Sequence, residues 1–352
     1  MNMLSALSSE EQVAAMTAVA RAALSRWAGS FEDLSLVKYR ENAVFHLRRD
    51  NGDRFALRVH RIGYHTDAEL TSELQWMSAL ATSGFDAPSV VPAKDGSLFV
   101  KATTPILPQP LQVDMLVWLE GEPLGSIETG LSCPSDELSS LYGQVGRLAA
   151  CLHDQSAGWQ FPAGFSRHAW DSRGLLGPNP FWGEFCDLAA LSDHLSLIER
   201  ACQNAKHDLG RLGRSAENYG LIHADLVPEN ILRSNHRLML IDFDDAGFGW
   251  HMFELATALF WYTDKPYYGT IRDALLAGYR SVRPLPEPQW RQLPLFLFLR
   301  SLTYLGWIRT RSETQIALEL TPMLIERAVL SAKEYLDSAD SPGVPAVSQT
   351  SN

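Results

Sequence analysis

The chain has few cysteines, no excess of positive charge and no long apolar run. Its 352 residues include four cysteines, none of them in a C-x-x-C pair, so the sequence indicates neither a zinc site nor a disulfide framework. No apolar run reaches the roughly 18 residues that a membrane helix needs. Glu10 and Glu11 stand where a secretory signal would need an apolar core. These absences favour a reduced, cytoplasmic protein.

The balance of charge is acidic. Lysine and arginine contribute 30 residues against 41 aspartates and glutamates, which gives a formal net charge of −11. Nucleic acid is not expected as a partner, because phosphate backbones bind to basic surfaces. The charge is compatible with a cationic or zwitterionic small substrate, although most of the acidic residues are simply solvated surface.

The residue pattern changes near residue 120. Residues 1–119 are predicted to form a small, mostly antiparallel sheet with two helices, an N-terminal one over residues 9–28 and a second over Thr66–Ser83. Asn51-Gly52 lies between two strand-like runs and is typical of a hairpin turn. The N-terminal helix is also a candidate oligomer interface, and the oligomeric state stays open.

The rest of the chain is predicted to be mostly helical over residues 120–337, with an irregular Gly/Pro-rich insertion at about residues 158–185. A Ser/Pro/Gly-rich tail, residues 338–352, is predicted to be disordered. The predicted helices of this part are Asp136–His153, Asn179–Leu212, Trp250–Tyr262, Gly269–Tyr279, Glu287–Arg311 and Thr321–Leu336.

Two apolar strands end in acidic or amide side chains. His223, Asp225 and Asn230 follow the first strand, and Asp242 and Asp244 follow the second. The D-x-x-x-x-N spacing lets one loop supply both a base, Asp225, and a metal ligand, Asn230. Mg²⁺ prefers oxygen ligands, so Asp242 is the second predicted ligand. Asp244 is either a further metal ligand or a residue that supports the loop. His223 is expected to hold the loop by hydrogen bonds and not to accept the proton.

These motifs resemble those of the aminoglycoside phosphotransferase/choline kinase superfamily, which has the protein-kinase-like fold. H-A-D-L-V-P-E-N matches the catalytic loop of that superfamily, and I-D-F-D matches its metal motif. L-I-D-F-D-D-A-G-F-G, W-D-S-R-G-L-L-G-P-N-P-F-W-G-E-F and R-S-L-T-Y-L-G-W-I-R-T-R are similar to the branch of stress-response kinase A-like and type II homoserine kinase-like proteins. The resemblance covers about residues 30–336.

The resemblance implies an α+β fold of two lobes, with a small antiparallel-sheet N-lobe and a larger, mostly helical C-lobe. ATP and Mg²⁺ are the implied cofactors. A cation on the third strand should hold the phosphates, and Arg58 stands at that position. On the following helix, Glu73 lies closer to the apolar stripe than Glu69, which makes Glu73 the expected partner of Arg58.

The phosphate-covering loop has no G-x-G-x-x-G. The candidate is R-E-N-A-V-F, where the backbone N–H groups around Asn42 and Val44 would cradle the phosphates. Adenine is expected at the junction of the two lobes, beside residues at the end of the fifth strand: Met115, Trp118, Leu119 and Glu120.

Acceptor-binding candidates come from the helices after the metal motif. Arg300, Tyr304, Trp307 and Arg311 share one helix face, which could bind a carboxylate or stack on a ring. The alternative is a helix that packs its aromatic side chains into the protein and leaves arginine at the rim. Glu254 is a further candidate, and Trp170, Asp171, Trp182 and Glu184 of the insertion are open between the same two interpretations.

The resemblance implies transfer of the γ-phosphate of ATP to a hydroxyl of a small molecule, such as an amino alcohol, a hydroxy amino acid or an aminoglycoside. A protein Ser/Thr kinase of the stress-response type is one alternative, and a catalytically silent nucleotide-binding regulator is another. A metal-dependent phosphohydrolase is less consistent, because it would not need Arg58, Glu73 or the N-terminal sheet. The acceptor, the preference for ATP over GTP and the role of the insertion stay open.

Overall fold

The computed structural model describes residues 7–186, 188–312 and 314–340. The chain forms two compact units, and each contains several segments. The sheet unit comprises the residues up to Glu122, then Trp159–Arg167 and Leu232–Asp244. The helical unit comprises Pro123–Gly158, His168–Ile231 and the residues from Asp245 onward. The first crossing between the units lies close to residue 120, where the residue pattern changes.

Helices and strands alternate in the first part of the chain and helices dominate the second. The elements up to Glu122 are α1 (Ser9–Ala23), β1 (Phe31–Tyr39), β2 (Ala43–Arg49), β3 (Arg54–Val59), α2 (Asp67–Thr82), β4 (Phe99–Ala102) and β5 (Leu111–Val117). The elements from Glu122 to Leu240 are β6 (Glu122–Pro123), β7 (Gly125–Ser126), β8 (Gly130–Leu131), α3 (Leu138–Gly158), β9 (Ala169–Trp170), α4 (Ser172–Leu176), α5 (Leu195–Leu212), β10 (Tyr219–Ile222), β11 (Ile231–Ser234) and β12 (Arg237–Leu240).

The remaining elements are β13 (Gly247–Trp250), α6 (His251–Phe260), α7 (Tyr268–Arg280), α8 (Glu287–Trp290), α9 (Leu293–Thr310) and α10 (Gln315–Asp340). Short 3₁₀ turns occupy Leu24–Arg26, Ala189–His194 and Pro228–Asn230. Within the described ranges, no helix is long and apolar enough to cross a membrane.

The main sheet of the sheet unit has five antiparallel strands in the order β1-β2-β3-β5-β4. Gly52, at φ +92°, supports the predicted turn between β2 and β3, because only glycine enters that conformation without strain. Both helices of the unit begin with a capping box, Ser8 with Glu11 and Thr66 with Glu69, which satisfies the first backbone N–H groups.

Helix α1 packs its apolar face against the sheet. Ala15, Met16 and Val19 share one core with Leu57 and Val113. Burial of such side chains is the main stabilising term of a small unit, at about 25 cal/mol per Å² of apolar surface. The apolar face of α1 therefore packs within the chain, and the oligomeric state stays open.

The small sheet of the helical unit brings the catalytic-loop strand into place. β10 pairs antiparallel with β13, and β13 pairs parallel with β9 of the insertion. β10 ends where the loop with the H-A-D motif begins. β13 begins where the loop with the I-D-F-D motif ends. The insertion thus supplies a strand to the sheet from which the H-A-D loop leaves.

Three predicted elements differ from the structure. The helix predicted over Asn179–Leu212 is only α5, because Pro180 and the left-handed Gly183 interrupt the segment before it. The helix predicted over Glu287–Arg311 is divided into α8 and α9, since Pro294 stands at the start of α9 and prefers the first turn. Helix α10 runs to Asp340, and the rest of the predicted tail lies outside the described residues.

Candidate active site

Arg58 lies at the centre of a buried charged cluster in the sheet unit. Strand register places Arg58 of β3 opposite Asp114 of β5. Directly opposed side chains on one face of an antiparallel pair are close neighbours. The Nε of Arg58 donates to Oδ1 of Asp114 at 3.0 Å, and Nη2 donates to Oδ2 at 2.8 Å. The same Nη2 donates to Oε1 of Glu73 on α2 at 2.9 Å. The structure brings Arg58 and Glu73 together, and Asp114 is a second carboxylate that sequence reasoning missed.

All three side chains of this group are buried, with 5% exposure for Arg58, 1% for Glu73 and 0% for Asp114. Burial opposes the ionised form of Asp114, but the charges of Arg58 and His60 outweigh burial and lower its pKa to about 2. Burial also opposes ionisation of Glu73, and the charges of Arg58 and Arg167 nevertheless lower its pKa. The two carboxylates therefore stay charged and hold the guanidinium by charge-assisted hydrogen bonds.

The third nitrogen of the Arg58 guanidinium differs from the other two. Nη1 is buried, and no described residue accepts a hydrogen bond from it. A buried donor without an acceptor costs about 1–3 kcal/mol. A phosphate oxygen is the natural acceptor for such a donor, because guanidinium and phosphate have matching charge and geometry.

The cluster continues to Asp244 of the metal motif by two routes. Arg167 donates to Oε2 of Glu73 at 3.4 Å and to the backbone oxygen of Asp244 at 2.6 Å. His60 contacts Oδ2 of Asp114 at 2.6 Å, and its Nδ1 lies 3.8 Å from Oδ1 of Asp244. Asp244 is buried at 5% exposure, which supports a role in anchoring the motif. Asp242, two residues earlier, is exposed.

The residues predicted to surround the nucleotide occupy different environments. Val44 lies in register with Arg58, on the neighbouring strand. The side chain of Asn42 is buried and accepts from the backbone N–H of Arg61 at 3.0 Å, so the amide fixes the loop.

The predicted adenine contacts have the following surroundings in the structure, and their contact with the base stays a prediction. The side chain of Met115 has 0% exposure and belongs to the core between α1 and the sheet. The N–H of Trp118 donates to the backbone oxygen of Arg54 at 3.0 Å. Glu120 is exposed and forms an ion pair with Arg54, and Leu119 is half-buried.

The catalytic-loop motif begins in a strained conformation that a buried carboxylate supports. Ala224 has φ +66°, which costs a non-glycine residue about 1 kcal/mol or more. The N–H groups of His223 and Ala224 donate to Oε1 and Oε2 of Glu254, at 2.8 and 2.7 Å. Successive N–H groups in such a bend form a concave anion site. Asp242 of the other motif has a similar φ of +65°.

Glu254 therefore holds the loop, and its contact with an acceptor stays a prediction. Both of its carboxylate oxygens accept from the main chain, and its side chain is completely buried on α6. Burial raises the pKa of Glu254 to about 7, against the lowering effect of the two loop N–H groups. His223 is also fully buried, and its Nδ1 accepts from the N–H of Asp225 at 3.3 Å, as expected for a loop support.

Asp225 has a fixed partner on each carboxylate oxygen. Oδ1 accepts from Nη2 of Arg300 at 2.7 Å, and Oδ2 accepts from Nδ2 of Asn230 at 2.8 Å. Nδ2 of Asn230 also donates to the backbone oxygen of Asp225 at 3.0 Å. Because N and O lie on opposite sides of an amide, Oδ1 of Asn230 faces away from Asp225. The side chain of Asp225 keeps 21% exposure.

Arg300 contacts Asp225, and Tyr304 contacts Arg300. Arg300 has 0% exposure and donates to the backbone oxygen of Ala224 at 3.0 Å and to the hydroxyl of Tyr304 at 2.8 Å. Its guanidinium lies 4.7 Å from the ring centre of Trp182 and 4.4 Å from that of Tyr304. Most of α9 is buried, and the contact of both residues with an acceptor stays a prediction.

Trp307 and Arg311 lie further along α9 and at its end, and both are partly exposed. The Arg311 guanidinium lies 5.0 Å from the centre of the Trp307 ring. Their proposed contact with an acceptor stays a prediction.

The insertion contributes tryptophans that sequence reasoning left open. The Nε1 atoms of Trp170 and Trp182 donate to the backbone oxygen and Oδ1 of Asp245, both at 2.9 Å. Gly306 of α9 allows this packing, because a Cβ there would lie 2.3 Å from the backbone oxygen of Gly183. The pair of glycines was the sequence signal for this close approach.

Known proteins share both the sequence motifs and the fold of this chain. A model of the phosphotransferase enzyme family matches residues 36–290. A solved microcompartment-associated aminopropanol kinase is 32% identical, with a TM-score of 0.79 over 92% of this chain and 98% of that chain. A solved amicoumacin kinase in complex with AMP-PNP, Ca²⁺ and amicoumacin is 19% identical, with a TM-score of 0.72 over 94% of this chain and 95% of that chain.

Among curated proteins, a homoserine kinase of Mesorhizobium japonicum is 29% identical over 286 residues, which cover 76% of this chain and 81% of that protein. The relatives confirm the resemblance to homoserine kinase-like phosphotransferases. They also confirm the α+β, protein-kinase-like fold with an antiparallel-sheet N-terminal region and a helical C-terminal part.

Proposed function

Because the chain belongs to the phosphotransferase enzyme family, we propose that this small-molecule kinase transfers the γ-phosphate of ATP to a hydroxyl group. Asp225 is the base, and Mg²⁺ is held by Asn230 and Asp242. The observation that carries the proposal is the environment of Asp225. Its two oxygens are fixed by Arg300 and Asn230, while part of the carboxylate stays accessible.

A fixed and accessible carboxylate suits phosphoryl transfer. Arg300 and Asn230 leave Asp225 little rotational freedom, so the acceptor hydroxyl meets a pre-oriented group. General base catalysis of this kind contributes a factor of about 10² to 10⁴ in rate.

Arg58 is the proposed phosphate-binding cation of the sheet unit. Its buried Nη1 has no acceptor among the described residues, and the charges of Glu73 and Asp114 hold the rest of the guanidinium in place. This donor supports the binding of a nucleoside triphosphate. The solved amicoumacin kinase relative carries AMP-PNP together with Ca²⁺, which supports ATP and a divalent cation as the cofactors.

The proposed metal ligands fit a hard cation. Oδ1 of Asn230 and the exposed carboxylate of Asp242 are oxygen donors of the type that Mg²⁺ prefers, and Asp244 is a further candidate. A bound Mg²⁺ would neutralise phosphate charge that develops during transfer. Asn230 would be held for this role by its bonds to Asp225.

The acceptor is proposed to be a small molecule with a hydroxyl group, cationic or zwitterionic, such as an amino alcohol, a hydroxy amino acid or an aminoglycoside. The relatives are named for aminopropanol, amicoumacin and homoserine. The net charge of −11 is compatible with this class. These observations favour small-molecule phosphorylation over a protein kinase activity, and the Arg58–Glu73 pair favours a kinase over a phosphohydrolase.

The test is the variant Asp225→Ala. We expect turnover to fall by about 10³-fold, within the range of general base catalysis, while Mg·ATP still binds. Turnover is measured as coupled ADP release with amino alcohols, amino acids, aminoglycosides, sugars and a generic protein substrate. ATP binding is measured by titration calorimetry.

Asp273→Ala is the matched control, because Asp273 is an exposed aspartate of the helical unit and pairs only with the adjacent Arg272 among its described ion pairs. The control should keep full turnover. An Asp225→Ala protein that binds ATP and phosphorylates the acceptor at the normal rate would contradict the role of Asp225.

A further inference from the structure

Asp114 has no role in the reaction described so far, yet it accepts two hydrogen bonds from Arg58, at 3.0 and 2.8 Å. We propose that Asp114 is a positioning residue for phosphate binding, which clamps two nitrogens of Arg58 so that the third presents its N–H groups to the nucleotide. The proposal rests on the proposed function, because it takes Arg58 as the phosphate-binding cation. It also explains why this position carries arginine and not lysine.

The clamp follows from strand register. Arg58 and Asp114 are directly opposed on β3 and β5, and Nε and Nη2 donate to the two oxygens of one carboxylate. Two parallel bonds fix the plane of the guanidinium as well as its position. Glu73 shares Nη2, so it fixes the same side of the group. Nη1 is the only nitrogen of Arg58 that is left, and none of the residues the structure describes accepts from it.

Asp114 itself has no freedom to move. Its side chain is fully buried, and Oδ2 also contacts Nε2 of His60 at 2.6 Å. Glu73 is held in the same way by Arg167, at 3.4 Å from Oε2. Both carboxylates are thus fixed by a second partner. The direction of Nη1 is set before the nucleotide arrives, which reduces the entropy lost on binding.

Lysine would not reproduce this arrangement. A guanidinium has three nitrogens in one plane, and two of them serve the carboxylates while the third stays available. An ammonium has a single nitrogen, which Asp114, Glu73 and a phosphate would have to share. With both carboxylates present, the single cation would be drawn away from the nucleotide. Removal of Asp114 should therefore make lysine more acceptable at position 58.

The experiment is a double-mutant cycle of Arg58→Lys and Asp114→Asn. Affinities for ATP and for adenosine are measured by titration calorimetry, since only ATP reports on the phosphate contact. We expect Arg58→Lys alone to weaken ATP binding about 30-fold, as for a lost hydrogen bond between charged groups, and to leave adenosine binding unchanged. In the Asp114→Asn background, the same change should cost only about threefold, because one carboxylate no longer competes.

Steady-state kinetics supply a second readout. Arg58→Lys should raise KM for ATP by a larger factor than it lowers kcat, and the rise in KM should be smaller in the Asp114→Asn background. Asp95→Asn is the matched control, because Asp95 forms an exposed pair with Arg26 in the same unit. Thermal unfolding of each variant shows whether it is folded. If Asp114→Asn does not fold, Asp114→Val offers an apolar, strand-compatible replacement.

The outcomes are distinguishable. An equal cost of Arg58→Lys in both backgrounds, or a parallel loss of adenosine binding, would overturn the role of Asp114 and leave the proposed function intact. An unmodified protein that binds ATP no more tightly than adenosine would overturn the proposed function and the role of Asp114 with it.

Discussion

The two units fix their central charged side chains in opposite ways. In the sheet unit a cation, Arg58, is held by the carboxylates of Glu73 and Asp114. In the helical unit a carboxylate, Asp225, is held by the cation of Arg300 and the amide of Asn230. The side chain of Arg58 has 6% exposure, whereas that of Asp225 has 21%. A group that binds phosphate needs only one free donor, but a base must remain accessible to a proton.

The scaffolds under the two groups also differ. Arg58 is aligned by strand register, which holds Asp114 opposite to it without backbone strain. Asp225 follows the left-handed Ala224, and the loop depends on Glu254 for its backbone bonds. Regular secondary structure is a robust support, and a strained loop needs dedicated partners. Substitutions around Asp225 should therefore have larger effects on turnover than equivalent packing changes elsewhere.

The largest effect is expected from Arg300→Met, which breaks the helical-unit arrangement. Loss of the guanidinium releases Oδ1 of Asp225 and leaves its charge without the partner. We expect kcat to fall by about 100-fold, the usual cost of a displacement near 1 Å, with little change in ATP affinity. The free energy of unfolding should fall by about 3 kcal/mol, as when one partner of a buried pair is removed.

ADP-release kinetics and urea unfolding measure these effects. Arg291→Met is the control, because Arg291 is an exposed arginine that pairs with Glu287. Normal turnover in Arg300→Met would show that Asp225 is oriented without Arg300.

A smaller effect is expected from Glu254→Gln. This variant weakens the support of the loop before Asp225 and leaves both partners of the Asp225 carboxylate in place. An amide offers one acceptor oxygen where the carboxylate offers two. One of the N–H groups of His223 and Ala224 then loses its acceptor. We expect kcat to fall about tenfold, because a buried unpaired N–H costs about 1–3 kcal/mol and the loop shifts to avoid it.

The same variant tests the pKa of Glu254. Its folded value of about 7 lies above the ordinary value of 4.5, so between these pH values the folded protein binds more protons than the unfolded chain. The free energy of unfolding should therefore fall as pH rises from about 4.5 to about 7 through this group. Glutamine does not titrate, and Glu254→Gln should lack this component. Denaturant unfolding across this pH range measures the difference between the unmodified protein and Glu254→Gln. Identical dependence of the unfolding free energy on pH in the two proteins would contradict the raised pKa of Glu254.

The smallest effect on turnover is expected from Gly306→Ala, which perturbs the packing of the insertion on α9. A Cβ at this position would lie 2.3 Å from the backbone oxygen of Gly183 and 3.2 Å from that of Trp182. We expect the free energy of unfolding to fall by about 1–3 kcal/mol, as in other overpacked contacts. Turnover should fall less than in Glu254→Gln, since only Trp182 among the partners of Arg300 is displaced.

Gly269→Ala is the matched control for this variant, because a Cβ at Gly269 meets nothing within 4 Å. Calorimetric unfolding should show the control to be as stable as the unmodified protein or slightly more stable, since alanine favours a helix over glycine by about 1 kcal/mol. Equal stability of the two variants would show that the contact between Gly306 and Gly183 is not tight.

Local patterns predicted the elements and motifs that depend on neighbours in sequence. The hairpin at Asn51-Gly52 and the phase of Glu73 on α2 follow from turn chemistry and helix period, and both agree with the structure. The contact of Asn230 with Asp225 is also local, over five residues. Breaks within helices were missed, because proline and glycine signals competed with a continuous apolar pattern.

Partners from distant elements could not be predicted. Asp114 is 56 residues from Arg58, and only strand order and register bring them together. Arg300 shares a helix face with Tyr304, as expected from their spacing, but periodicity does not show that α9 is buried on nearly every side. From the sequence, the same arginine was therefore left open between an acceptor contact and the rim of a packed helix, and in the structure it donates to Asp225.

The sequence by itself determined the motifs that contain the proposed reactive groups. The spacing of Asp225, Asn230 and Asp242, together with Arg58, indicated the phosphotransferase family, because catalytic loops are short and their chemistry is encoded in local spacing. The tertiary structure alone decided which charges hold those groups in place. Asp114 and Arg300 acquire their roles through burial and long-range pairing, and these depend on packing that no local pattern records.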